Sequence, residues 1–342
     1  MDHTVEWLLE PASPSVRYWT LRELLGKPED DPQVRAARQA IRESPLMRRI
    51  FARQGPQGHW GDPDSPYLPK YKSTYWTVML LARLGLTRED DRLSRAVEHL
   101  FAFQQVDGGF AELGAVGARR KYARLAANRE ARGKQPPDEA HFVADLVHQM
   151  TTSCLTGNVV AALLRLGYGD DRRLWRAVDW LVAVQNADGG WLCPYWKAHI
   201  RDRHGCFFGT ICALEALAEI PPDQRSPAQE RAATRGAEFL LRHRLYRADH
   251  HGLRVINPDW LRLGFPWFYR YDVLRGLWVL TRLGYDDPRM ADARQEVRRR
   301  RTPGGKWVLE VAPVGRLRAA PGRRGQPSKW VTMRALAVER PG

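Results

Sequence analysis

The chain reads as an all-α protein whose helix pairs repeat around a closed ring, an α/α toroid of about six inner and six outer helices. Three observations predict it: a glycine-and-aromatic phrase that recurs four times, amphipathic helical patterns leading into it, and uniformly apolar helical runs between the copies. The phrase occurs as QGPQGHW (Gln54 to Trp60), QQVDGGF (Gln104 to Phe110), QNADGGW (Gln185 to Trp191) and RTPGGKW (Arg301 to Trp307). Three copies fit Q-x3-G-x-W/F, and the last has Arg in place of Gln.

The outer helices come first in each repeat. GLTREDDRLSRAVEHLFAFQQ, GYGDDRRLWRAVDWLVAVQN and GYDDPRMADARQEVRRRR each begin at an acidic turn. In the second, Leu174, Val178, Leu181 and Val184 recur at three- and four-residue steps and place an apolar stripe on one face. Asp90, Asp170 and Asp286 are expected as N-caps, accepting from orphan amides of the first turn.

The inner helices are the runs VRYWTLRELLG, STYWTVMLLARLG, GNVVAALLRLG, GTICALEALAEIP, YDVLRGLWVLTRLG and WVTMRALAV. Apolar around most of their circumference, they are expected to be buried on both sides. Glycines of the repeated phrase then serve the tight turn that follows an outer helix.

The whole chain, 1–342, is expected to form one toroid domain. Two segments break the period: a basic, Ala-rich insertion over 111–147, expected as a helical excursion or lid, and a long aromatic-rich connection over 246–267 across one mouth of the barrel.

With 44% hydrophobic residues and thirteen Trp among 342 residues, the chain can bury a large core. No apolar run is long enough to cross a bilayer and the first residues do not resemble a leader, so a cytosolic protein is expected. Four cysteines, Cys154, Cys193, Cys206 and Cys212, are too few and too clustered for a disulfide framework. The net charge of +15 favours an anionic partner, such as a phosphate group or an acidic membrane surface touched peripherally. No nucleic-acid-binding module accompanies that charge, and nucleic acid is not expected as a partner.

The repeated phrases resemble the QW motifs of the terpene cyclase and protein prenyltransferase superfamily, built on an α/α toroid. The resemblance runs from about Leu46 to Trp307 and speaks to fold more than to activity. Class II cyclases of that superfamily protonate an alkene with the middle Asp of D-x-D-D, and no such motif occurs here; D-D-x-x-D is missing as well. Prenyltransferases hold zinc with Asp-x-Cys and a later His, and Asp-x-Cys is also missing. The branch stays unassigned, and the resemblance implies a small apolar or anionic, isoprenoid-like substrate.

Aligning inner helices on their glycines puts Cys154 and Cys206 at the same place in successive repeats, with Lys72 and Tyr271-Asp272 at the matching place in two others. All then face one mouth. Cys193 lies in the loop running into the Cys206 helix, and His204 stands two residues before Cys206. Thiolates of Cys154, Cys193 and Cys206 with His204, or alternatively His148, could complete a tetrahedral zinc site, with helix N-termini lowering the thiol pKa. The words GGWLC and HGC are similar to the zinc motifs of lanthionine cyclases, another toroid family. The other reading makes the cysteines small core hydrophobes, as is expected of Cys212.

Asp272 is the candidate acid, its pKa raised among Trp267, Tyr269 and Tyr271; it is equally a candidate N-cap. Lys72 could hold an anionic substrate group. Trp76, Phe207, Trp267, Tyr269, Tyr271 and Trp278 are expected either to line a central apolar cavity or to pack as core. The function expected is a cyclase- or prenyltransferase-like enzyme with zinc as its cofactor. Its alternative is a non-catalytic ring that binds an isoprenoid, a lipid or a protein segment. An α/α-barrel acting on carbohydrate ranks last, since only Asp272 offers a carboxylate at the mouth.

Overall fold

The computed structural model describes residues 3–193, 197–249, 252–313, 317–318 and 322–339, with side chains undescribed at 197–199. His250 and His251 of the long connection lie outside the described residues.

The chain begins with α1 (His3–Leu8) and α2 (Pro14–Trp19), which runs on through a π-helical turn at Thr20–Leu24; α3 (Pro32–Arg42), α4 (Pro45–Phe51), α5 (Thr74–Arg83) and α6 (Arg92–Phe101) follow. After α7 (Ala115–Glu130) and α8 (Glu139–Gln149) come α9 (Ser153–Arg165), α10 (Arg172–Ala183), α11 (Lys197–Asp202), α12 (Phe207–Ala218) and α13 (Pro227–Arg242). The last three are α14 (Val273–Arg282), α15 (Ala291–Arg298) and α16 (Lys329–Glu339). No strand forms among the described residues, which hold only isolated bridges, and none of their helices is long and apolar enough to cross a membrane.

Six helices form the inner ring. α5 packs on α9, α9 on α12, α12 on α14, α14 on α16, and α16 on α2 and its π-helical extension. Trp19 Nε1 closes the circle by donating to the carbonyl of Arg83, 2.8 Å away on α5. Around them α3, α6, α13 and α1 each pack on one inner helix, and α10 and α15 each on two, α9 with α12 and α14 with α16. The division follows from patterning: every residue of α5 is buried, whereas α6 buries only the stripe Leu93, Ala96, Val97, Leu100 and Phe101.

The repeated phrase ties each outer helix to the next. Gln54 Nε2 donates to its own loop at Gly58 (3.0 Å) and to the Arg92 carbonyl at the start of α6 (2.9 Å). Gln104 spans Gly108 and Arg173, and Gln185 spans Gly189 and Ala232, in the same way. The aromatic that ends the phrase hangs between two backbones. Trp191 Nε1 donates to Leu181 (2.7 Å), and its amide donates to Thr210 Oγ1 (3.0 Å) on α12; Trp60 with Thr74 and Trp307 with Thr332 repeat the pattern. The central glycine has no substitute, because Gly189 has φ +93° and a Cβ there would stand 2.4 Å from the Arg235 carbonyl oxygen of α13.

The fourth copy shows how the ring shuts. Gly305 meets Thr4 of α1, so the first helix of the chain stands where the next outer helix would be. Arg301, at the glutamine position, lies over the Trp307 ring at 5.3 Å.

The acidic turns cap as expected in kind, and two of the three differ in residue. Asp171 and Asp287, the second of each pair, are the N-caps and accept from Arg173 N and Arg289 N at 2.8 Å. Asp170 and Asp286 pair instead with Arg88 and Arg294. In these two turns the helix begins immediately after the second aspartate, whose side chain reaches the first-turn amides; at α6 the expected Asp90 does so instead, its Oδ1 accepting from Arg92 N at 3.2 Å while Asp91 makes no side-chain cap.

The stretch interrupting the repeat holds the α7–α8 hairpin. Its small cluster of Ala111, Leu113, Ala118 and Val147 is separate from the main core, and Arg120 anchors it to Asp62 and Asp64 at 3.0 and 2.7 Å.

Candidate functional site

The inner helices begin at N-caps Ser73, Thr152, Cys206 and Asp272. Of the two readings of Asp272, the capping one is realised. Its Oδ1 accepts from Arg275 N (2.9 Å) and its Oδ2 from Gly264 N (3.0 Å) and Trp267 Nε1 (2.9 Å). Burial raises its pKa, opposed by the Arg270 charge and by those donors. The carboxylate is fully buried and its contacts all face protein. Lys72, by contrast, has an exposed side chain, and its carbonyl accepts from Arg318 Nε at 2.9 Å.

The four expected zinc ligands are not gathered at one point. Among the described residues the group of three or more His, Cys, Asp or Glu ligand atoms lying within 4.8 Å of one another is His204, His243 and Asp249. Cys206 and Cys193 have their thiols in contact, and that hydrogen bond, with burial, drives the Cys206 pKa upward against the pull of the Gly209 and Phe208 amides. Cys154 sits 3.5 Å from Thr152 Oγ1, its pKa also raised by burial. The lowering expected of a helix N-terminus is thus outweighed at Cys206 by the Cys193 contact and burial, and at Cys154 burial is the largest influence. Cys212 packs in the core as expected, accepting from Asn158 Nδ2 at 3.1 Å. His148, the alternative fourth ligand, is exposed on α8.

The expected cavity aromatics divide between two ends and a packed interior. Trp76 is 1% exposed, donates to the Tyr67 carbonyl (2.7 Å) and packs on Tyr71, Phe268 and Tyr269. Phe207 contacts Phe239, His243, Trp260 and Tyr271, and Tyr271 donates to the Leu245 carbonyl at 2.6 Å. Trp267 packs on Trp278 at 5.6 Å. Trp278 points to the opposite end, donating to Glu23 Oε2 at 3.2 Å.

The interior between the two ends is occupied by charge. Glu215 of α12 forms an ion pair with Arg83 of α5 (3.0 Å) and accepts hydrogen bonds from Arg165 of α9 (2.6 Å) and Arg275 Nε of α14 (2.8 Å). Burial alone would raise the Glu215 pKa; the three guanidiniums reverse this and hold it well below the ordinary range. Arg334 of α16 completes the inward set, 3% exposed and lying 4.4 Å over Trp278 and 4.7 Å over Trp267. Desolvation lowers its pKa to about 9. One turn further along, Glu219 bridges Arg165 (2.6 Å) and Arg282 (2.6 Å). Charged side chains from five inner helices thus meet in the interior of the ring.

Open space remains at the ends. At the mouth formed by the inner-helix N-termini, a cavity of about 470 Å³ is lined by Tyr71, Phe208, Trp260, Pro266, Trp267, Tyr269 and Tyr271, with Asn257, Asp259 and Arg270 among its polar groups. It includes three of the expected cavity residues, Trp267, Tyr269 and Tyr271. Arg270 donates from Nη2 to the Asp259 carbonyl at 2.7 Å and keeps a buried Nε without a hydrogen-bond partner. The other end has a cavity of about 440 Å³ whose walls alternate in charge: Arg22, Arg38, Arg165 and Arg282 against Glu23, Glu29 and Glu219.

Sequence reasoning missed Trp260 and Phe208 as lining residues, and His243 and Asp249 as partners of His204. The signal for the first two lay in the aromatic connection; the second pair had none, since the contacts cross between two loops.

The sequence matches no family model and no curated protein. Solved structures do align over nearly the whole chain. A protein from Actinoplanes is 16% identical with a TM-score of 0.45, covering 95% of this chain and 88% of its own. The type II terpene cyclase MstE from Scytonema is 17% identical with a TM-score of 0.45, covering 95% and 86%. A variant of that cyclase bound to geranylgeranyl dihydroxybenzoate is 16% identical with a TM-score of 0.46, covering 95% and 86%.

Proposed function

We propose that this ring is a binding protein that seats a small apolar, isoprenoid-like ligand with an anionic end in the aromatic cavity at its mouth, and that it does no chemistry on the barrel axis. The observation that carries this reading is the Arg83–Arg165–Arg275–Glu215 cluster, which puts buried charge on the barrel axis where an apolar reacting chain would have to lie. Tyr71, Phe208 and Trp260 offer ring faces to an apolar chain. Arg270, which lines the same cavity and whose Nε stands 3.9 Å from Asp272 Oδ2, suits an anionic head there. In this reading Cys193, Cys206 and Cys212 serve as buried packing, Cys154 packs half-buried at the core's edge, and the candidate acid Asp272 serves as a helix cap.

Titration with farnesyl diphosphate, followed by tryptophan fluorescence and calorimetry, tests it. Saturable binding is expected, weakened about tenfold or more in Phe208→Ser, a loss of about 1.4 kcal/mol. Recovered ligand should be chemically unchanged by mass spectrometry. Turnover to a new hydrocarbon would replace the reading with the enzyme one; no binding would remove both.

A further inference from the structure

A second candidate site lies where the loop entering α12 meets the segment leaving α13, separate from the charged axis. His204, His243 and Asp249 each offer one ligand atom, and the three atoms all lie within 4.8 Å of one another. From this geometry we propose that His204, His243 and Asp249 hold a divalent cation, Zn2+ by the chemistry of the donors. Two imidazoles and one carboxylate form a borderline set that suits zinc better than calcium or magnesium, which take mostly oxygen.

Three observations support the assignment. His243 Nδ1 stands 3.6 Å from Asp249 Oδ1, close to the spacing of about 3.4 Å between two ligands of a tetrahedral zinc with bonds of about 2.05 Å. His243 is only 3% exposed, and that same Nδ1 has no hydrogen-bond partner. A buried, unpaired nitrogen is costly, and a cation at its lone pair satisfies it. His204 Nδ1 lies 2.8 Å from the Gly205 carbonyl, a contact that requires the proton on Nδ1 and leaves Nε2 as the donor to metal.

The surroundings suit a bound ion. Phe239 stands against both imidazoles, at 5.4 Å from His204 and 4.8 Å from His243, and Phe207 packs on His243 at 5.2 Å. This apolar wall limits competition from water. Coordination ties the approach to α12, and with it Phe207 and Phe208, to the chain leaving α13. The proposal stands on the three side chains and does not require that the mouth cavity bind an apolar ligand.

The test uses the full chain stripped with EDTA, then titrated with ZnCl2 by calorimetry, with elemental analysis after desalting and a melting curve with and without the metal. One zinc per chain and a raised Tm are expected. Asp249→Asn and His243→Gln should each weaken binding by about 100-fold or more, while a Cys193→Ser/Cys206→Ser double variant should bind as the wild type does. Asp249 is the less demanding position, since its side chain stands at the rim, 16% exposed; it keeps the test decisive if His243→Gln does not fold. Failure to retain zinc, undiminished affinity in Asp249→Asn, or loss of zinc in the cysteine variant would each overturn the proposal.

Discussion

Arg275 Nε donates to Glu215 Oε2 across 2.8 Å, and both side chains are at most 1% exposed. This contact joins α14 to α12 inside the ring, and Arg83 and Arg165 reach the same carboxylate from α5 and α9. Removing one partner of such a group leaves buried charge without compensation. Glu215→Gln is therefore expected to cost about 3–5 kcal/mol in urea unfolding, and the double variant Glu215→Leu/Arg275→Met less than the sum of its two single changes.

The same cluster sets an acid limit. Burial raises the pKa of Glu215 and Glu219, but their guanidinium partners pull both below the ordinary carboxylate value. A carboxylate depressed in the folded state contributes stability that is complete above the unfolded value of about 4.3 and is lost as pH falls through the folded value. Asp272 acts in the opposite sense, since its raised pKa makes its ionised form a cost near neutrality that protonation relieves. Burial also lowers the folded pKa of His99 and of His243, the latter to about 4, so the unfolded chain takes up protons first as pH falls below about 6.5. The metal-free protein is therefore predicted to have a Tm that is flat above about pH 7, declines below about 6.5 and falls more steeply below about 4.3, measured by scanning calorimetry.

The repeat makes a prediction of its own. Gln185→Ala removes the hydrogen bonds to Gly189 and Ala232 and should cost about 1–3 kcal/mol. Gly189→Ala should cost more than Gly133→Ala. Both have positive φ, but a Cβ at 189 meets the Arg235 carbonyl at 2.4 Å, while at 133 nothing lies within 4 Å. Paired denaturation curves check the ordering.

The thiols supply a kinetic readout. Burial raises the pKa of Cys154 and of Cys212, and Cys212 is fully enclosed. Neither should react appreciably with iodoacetamide at pH 8 in the native state, and both should react fully in guanidinium, as mapped by peptide mass spectrometry.

The ring was legible because its signals are local and repeated. Gln54, Gln104 and Gln185 recur at one offset before an aromatic, and each does one mechanical task. The charged interior was written in the same register but harder to see. Arg83, Arg165 and Arg282 occupy matching places in LARLG, LLRLG and LTRLG, with Glu219 at that place in LAEIP between the second and third. One charge in ten apolar residues scarcely alters a helical pattern, so the runs read as uniformly apolar. Yet a lone acid between two arginines in successive repeats is what Glu219, bridging Arg165 and Arg282, turns out to be. The His204–His243–Asp249 group was not legible, because no sequence spacing says that the end of an outer helix meets the loop before an inner one.

The most direct test of the central claim, that ligand sits at the mouth while charge closes the axis, is photocrosslinking with a benzophenone-bearing isoprenoid diphosphate, mapped by peptide mass spectrometry. Label is expected on Phe208 and on the segment from Trp260 to Tyr271, which line the mouth cavity. Label on Glu215, Asn158 or Arg334 in the interior would contradict the account.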